Sequence, residues 1–128
     1  MLESFGITVD CAEAEIDVLA DFWAAALGYE KLLPFMLVDP GGVRPRVFFQ
    51  AVPETKPGKN RWHLDLYVEH LDGLAAEVER LRALGASEVR HVDEEVFGFT
   101  NTFTAMLDPC GNEVCVCAPH VPVASAAD

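Results

Sequence analysis

Basic residues are scarce in this chain: nine Lys and Arg stand against 21 Asp and Glu, for a formal net charge of −12. A phosphate backbone would be repelled, so nucleic acid is not an expected partner. Long apolar runs are missing too. No segment approaches the roughly 20 apolar residues that a membrane helix needs. The opening MLESFGITVD has no basic stretch leading into an apolar run, so a secretory leader is not expected. The expected setting is the cytoplasm, with thiols reduced and no membrane partner. There are only four cysteines, and none follows the C-x2-C spacing of a zinc knuckle. Apolar residues nonetheless make up 51% of the chain, enough for a real core in one domain or two fused half-domains.

What is present alternates and then repeats. Residues 5–10, FGITVD, point Ile7 and Val9 one way and Gly6, Thr8 and Asp10 the other, as a strand does. Over 13–27, Ile16, Leu19, Ala20, Trp23 and Leu27 recur at helical spacing behind an acidic first turn, and Gly28 is a helix stop. Strands are predicted over 29–32, 35–39 and 46–51, with a DPGG turn at 39–42. Residues 53–60, PETKPGKN, read as a linker.

From residue 61 the pattern restarts. RWHLDLYV alternates, with Leu64, Leu66 and Val68 on one side and His63, Asp65 and Tyr67 on the other. Residues 72–84 form an amphipathic helix with Leu74, Val78, Leu81 and Leu84 on one stripe, and Gly85 stops it. Strands are predicted over 87–92, 102–107 and 113–117, with a polar loop at 93–101 and a frayed tail over 119–128. ALGY at 26–29 and ALGA at 83–86 stand 57 residues apart, and DPGG at 39–42 and DPCG at 108–111 stand 69 apart. The second copy therefore carries about a dozen extra residues, placed most simply in the 93–101 loop.

The expected fold class is α+β: two tandem β-α-β-β-β units, about 5–52 and 61–118, whose curved sheets enclose a cleft. They make up one domain over 1–118. One row of each strand covers a helix. The other would line the cleft: Gly6, Thr8, Asp10, Phe48, Gln50, His63, Asp65, Tyr67, Cys115 and Cys117. Phe22 and Trp23 sit in a helical stripe and read as core, while Phe97, Phe99 and Phe103 surround the long loop.

The segments FWAAALGY (22–29), PRVFFQ (45–50), PGKNRWHLDLYV (57–68), ALGA (83–86) and DPCGNEVCV (108–116) resemble, in order and spacing, the vicinal oxygen chelate superfamily. That superfamily includes glyoxalase I, bleomycin-resistance proteins and extradiol dioxygenases. The nearest likeness is to its small bacterial glyoxalase-like domains. The resemblance implies a homodimer and a small-molecule ligand. In metal-using members it implies ligands at matching strand positions: a His in the first strand, a His in the fifth, a Glu in the eighth and, in glyoxalase I, one from the fourth. Here the fifth-strand position is His63, and its mate in the first repeat is Gly6. The eighth-strand position is Cys115. The fourth-strand position falls in Arg46–Phe48, where no side chain is a sensible ligand.

A catalytic divalent site needs three protein ligands and an open position. Two donors, His63 and Cys115, favour no cofactor over a divalent metal, and a binder over an enzyme. The expected function is metal-independent binding of a small aromatic or apolar molecule, as in sequestration of a drug or natural product. The ligand-binding candidates are Thr8, Asp10, Phe48, Gln50, His63, Asp65, Tyr67 and Cys115. Two alternatives stay open. One is a metal-dependent lyase, isomerase or dioxygenase with an atypical site at His63 and Cys115, with Cys117 as a further soft ligand. The other is a metal-free enzyme using His63 and Asp65 as acid and base. His70, His91 and His120 read as loop, surface-strand and tail residues without a function.

Overall fold

The computed structural model describes residues 1–124. The chain divides into two compact units, Met1–Lys59 and a second that begins at Asn60. Each contains one helix and one four-stranded sheet.

The first unit runs β1 (Ile7–Cys11), α1 (Ile16–Leu27), β2 (Glu30–Leu33), β3 (Met36–Val38) and β4 (Val47–Ala51). Its sheet order is β1-β4-β3-β2, with β1 parallel to β4 and the other pairs antiparallel. A single 3-10 turn over Glu13–Glu15 leads into α1. There the Ala12 N–H donates to Glu15 Oε1 at 2.9 Å, satisfying a donor that the helix itself leaves free. Gly28, at φ 70°, closes the helix in the left-handed conformation that glycine adopts without a Cβ penalty. α1 buries Leu19, Ala20, Phe22, Trp23 and Ala26 and packs on its own sheet. Phe22 meets Trp23 edge-on at 5.2 Å between centroids. Both are core residues, as their helical stripe implies.

The second unit repeats the order: β5 (Leu64–Tyr67), α2 (Leu74–Ala83), β6 (Ser87–Val96), β7 (Phe99–Leu107) and β8 (Glu113–Cys117). Its sheet order is β5-β8-β7-β6, with β5 parallel to β8. α2 buries Leu74, Val78 and Leu81 and ends on Arg80 and Arg82, cations suited to the negative end of the helix dipole. Leu81, Met106, Val114 and Val116 are fully buried. The register makes the repeat explicit. Ile7 faces Val47 as Leu64 faces Val114, and Thr8 faces Phe48 as Asp65 faces Cys115.

The two DPxG turns are built alike. Asp39 accepts N–H bonds from Gly41 (3.0 Å), Val43 (3.1 Å) and Arg44 (2.8 Å). Asp108 accepts from the N–H groups of Cys110 (2.9 Å) and Asn112 (3.0 Å), and from the Asn112 side chain. In both, the carboxylate stands in for a backbone carbonyl, as aspartate does in turns.

Several expectations are corrected. Residues 93–101 are not a loop, because β6 and β7 form a continuous hairpin in which Val96 pairs with Phe99. Its turn is Phe97 and Gly98 alone, at φ 52° and 79°. Two successive positive φ values match the right-handed twist of paired strands, which allows a two-residue turn. The extra residues of the second repeat lengthen two strands instead. β6 and β7 have 10 and 9 residues where β2 and β3 have 4 and 3. The first strand, predicted over 5–10, extends one residue further, so that Cys11 is the last and buried residue of β1. The tail expected to fray from Pro119 is held as far as Val123. The Thr100 N–H donates to the Val121 carbonyl at 2.8 Å, and the Val123 N–H to that of Gly98 at 2.9 Å. The rest of that expected tail, 125–128, lies outside the described residues.

The Arg44 and Gly41 N–H groups lower the Asp39 carboxyl from 3.8 to about 2. Its stabilising contribution is therefore complete above pH 3.8 and is lost as pH falls through about 2. In the folded protein the Asp39 side-chain carbon should titrate near 2 by NMR, and a midpoint near 3.8 would contradict these bonds. Asp108 is only 3% exposed. Asp108→Ala strands the part-buried N–H donors of Cys110 and Asn112 and should cost about 2–4 kcal/mol in denaturant unfolding.

Candidate functional site

The pleat of β5 turns Leu64 and Leu66 inward and leaves Asp65 and Tyr67 exposed. His63 stands just before the strand. Its Nδ1 lies 2.9 Å from Asp65 Oδ1, with the two side chains 39% and 41% exposed. β8 runs alongside in parallel, which sets Cys115 opposite Asp65 and Cys117 opposite Tyr67. Both cysteines are buried thiols. An imidazole nitrogen of His63, a carboxylate oxygen of Asp65 and Cys115 Sγ all lie within 4.8 Å of one another. On the far side of β8, Cys115 is paired with the small Ala105 and Cys117 with Phe103. Burial, with Asp65 and Cys115 adding to it, pushes the Cys117 thiol up to about 12. It is a protonated core thiol rather than a nucleophile.

Tyr67 continues the row. Its hydroxyl lies 2.9 Å from His120 Nε2, and His120 Nδ1 lies 3.0 Å from the Thr100 carbonyl oxygen. A carbonyl only accepts, so Nδ1 has the proton, Nε2 is the acceptor and the Tyr67 hydroxyl donates. Burial raises the Tyr67 pKa, which keeps that donor protonated. The sequence placed His120 in a frayed tail without a role. A bridge between Phe99 and Pro122 brings it back against the sheet. Nothing in the local pattern around His120 signals that return. His120 also borders an open groove of about 420 Å³, lined by Val96, Phe97, Phe99, Thr100 and Asn101 at the β6–β7 turn. Phe97 is fully exposed there. His91 does lie on the surface strand β6, 2.9 Å from the Thr104 hydroxyl, and His70 is exposed ahead of α2.

In the first unit the matching row is Thr8, Asp10, Phe48 and Gln50. Thr8 pairs with Phe48 and Asp10 with Gln50. Thr8, Asp10 and Gln50 are exposed, while Phe48 packs edge-on against Phe35 at 5.2 Å. This row offers one carboxylate and no imidazole or thiol. Gly6, the mate of His63, has the Arg46 Cγ 3.3 Å from where a Cβ would stand. Gly6 thus offers no donor, and any side chain there would press on Arg46. The four-strand donor set of metal-using glyoxalase relatives does not fit these residues. The donors that do converge all belong to the second unit.

A model of the glyoxalase-like domain family matches residues 6–117, and the chain belongs to that family. No curated protein sequence matches it. A glyoxalase/bleomycin resistance protein/dioxygenase family enzyme from Burkholderia phytofirmans PsJN is similar in structure. It has a TM-score of 0.68 at 17% identity, covering 88% of this chain and 94% of that one. A glyoxalase-related enzyme from Fulvimarina pelagi gives 0.67 at 15%, covering 93% and 89%. The fosfomycin resistance protein FosX from Mesorhizobium loti gives 0.65 at 10%, covering 93% and 94%. At such identities the likeness is one of fold.

Iodoacetamide at pH 8 should leave Cys117 unmodified in the folded protein and alkylate it in denaturant, as peptide mass spectrometry would record. Rapid native labelling would contradict a thiol held at about 12.

Proposed function

We propose that this glyoxalase-like domain binds a small organic molecule, aromatic or apolar over part of its surface, without a metal of the family type. One observation carries the reading. The open row of the second unit joins polar groups, His63 and Asp65, through Tyr67 and His120 to an aromatic-lined groove of about 420 Å³. Groove volumes of about 300–1,000 Å³ with a few fixed polar groups suit drug-sized ligands. Tyr67 and Phe99 supply ring faces for a flat molecule. His63 and Asp65 orient its polar end. Cys115 lines the floor between them. Thr8, Asp10, Phe48 and Gln50, the matching row of the first unit, are proposed as a ligand-contacting row of that unit taken by itself. The fold likeness to a fosfomycin resistance protein accords with a drug or natural product as ligand.

Trp62 is 89% exposed and adjoins His63, so its fluorescence reports on this row, while Trp23 is buried. Titration with a library of aromatic compounds should yield a saturable quench that survives chelator. Tyr67→Ala should weaken that binding about tenfold, roughly 1.4 kcal/mol. Binding abolished by chelator and restored by a divalent metal would overturn the metal-independent reading. So would Tyr67→Ala and Phe99→Ala variants that bind like the parent overturn this placement.

A further inference from the structure

The polar side chains around the groove at the β6–β7 turn direct their hydrogens at one another rather than into the groove. The His120 Nδ1–H faces the Thr100 carbonyl oxygen at 3.0 Å, and the Tyr67 hydroxyl donates to His120 Nε2 at 2.9 Å. The Thr100 hydroxyl accepts the Val121 N–H at 3.0 Å and points its own hydrogen at the Pro119 carbonyl. Asn101 Nδ2 donates to Glu94 Oε1 at 3.0 Å, which leaves Asn101 one amide hydrogen beside its own carbonyl. Further along β5, His63 Nδ1 faces Asp65 Oδ1 at 2.9 Å. A carboxylate only accepts, so Nδ1 has that proton, and a neutral His63 ring keeps Nε2 as an acceptor.

What these side chains turn outward is mostly acceptors. A phenol that donates its one hydrogen still has lone pairs, so Tyr67 meets an incoming group as an acceptor. Asp65 stands two residues before it on the same exposed face, about 7 Å away. Its charge reaches the Tyr67 hydroxyl, whose pKa is raised by burial first and then by Cys117 and Asp65. Glu94, which faces Asn101 across the hairpin, brings a second carboxylate to the flank of the groove.

The arginines of this unit are engaged elsewhere. Arg80 pairs with Glu77, and Arg82 with Glu79 and Glu88. Arg90 lies over the Phe103 ring, four residues along β6 from Glu94, or about 13 Å. Arg61 is exposed ahead of β5. Acceptors and carboxylates repel a carboxylate or phosphonate and favour a donor. An ammonium has three donors and no acceptor. The faces of Tyr67 and Phe99 attract a cation as well as a flat ring.

We propose that the groove takes an aromatic amine, bound as its ammonium, which donates to the Tyr67 hydroxyl oxygen in the field of the Asp65 carboxylate while its ring lies against Phe99. This ligand class rests on the organic-ligand reading above and narrows it against anionic ligands.

Three probes sharing one ring test it: 2-(2-naphthyl)ethylamine, 2-(2-naphthyl)ethanol and 2-naphthylacetate. Each is titrated by calorimetry into the full-length protein with chelator at pH 8, on the neutral side of imidazole titration. The amine should bind at least tenfold tighter than the alcohol, and the acetate weakest of the three. The preference for the amine should still be at least threefold in 1 M salt, where the Debye length is about 3 Å and the net charge of −12 no longer steers cations. Asp65→Asn should lower amine affinity at least fivefold and alcohol affinity less than twofold. Tyr67→Phe, which keeps the ring, should lower amine affinity about threefold. Acetate binding as tightly as the amine would overturn this ligand class and leave the organic-ligand reading standing. So would an amine preference that vanishes in 1 M salt, or one unchanged in both folded Asp65→Asn and folded Tyr67→Phe. Failure of all three probes to bind would overturn both.

Discussion

In each unit the first strand lies parallel to the last, β1 beside β4 and β5 beside β8. Parallel neighbours cannot be joined by a tight turn, so the chain between them must cross over. Here that crossover is a helix followed by a strand hairpin. The helix covers one face of the sheet, and the exposed side chains of β1 and β5 stand on the other. A shift of one residue in this pairing would exchange the two faces. It would bury Asp65 and Tyr67 and expose Leu64 and Leu66. Apolar burial therefore fixes the register, and the register decides which polar groups meet.

The turn before each closing strand protects that register. Asp39 and Asp108 each gather N–H groups from residues two and four places on, which fixes the direction of the chain as it enters β4 or β8. The two turns differ in what surrounds them. Asp39 also faces Arg44, whose guanidinium stacks 5.0 Å from the Tyr29 ring centroid and reaches the Leu27 carbonyl. Asp108 is buried and takes its support from Asn112.

The chemistry of the second sheet follows from a contrast in burial along neighbouring strands. Asp65 and Tyr67 on β5 are exposed, while Cys115 and Cys117 opposite them on β8 are buried. Cys117 sits deep enough, and near enough to a carboxylate, to stay a neutral packing group. Cys115 stands one pair closer to His63, where an imidazole and a carboxylate reach it. Two cysteines with nearly the same local sequence thus have different surroundings.

Much of the fold was legible because it rests on periodicity. The alternation of ITVD and HLDLY, the helical stripes and the DPxG echoes all depend on local geometry that a single chain displays. The rows bearing Thr8, Asp10, Phe48, Gln50, His63, Asp65, Tyr67 and Cys115 were readable for the same reason. The β6–β7 hairpin was not, because Phe97 in a left-handed turn is an unusual choice that no propensity foretells. His120 was not, because its place depends on a single bridge from Pro122 to Phe99. The sequence by itself determined two β-α-β-β-β units and the face on which each strand residue stands, since strand and helix periods are local. Only the tertiary structure decided that Asp65 meets Cys115 and that Tyr67 meets His120. Those contacts join residues about 50 positions apart, through strand register and a returning tail that no local pattern encodes.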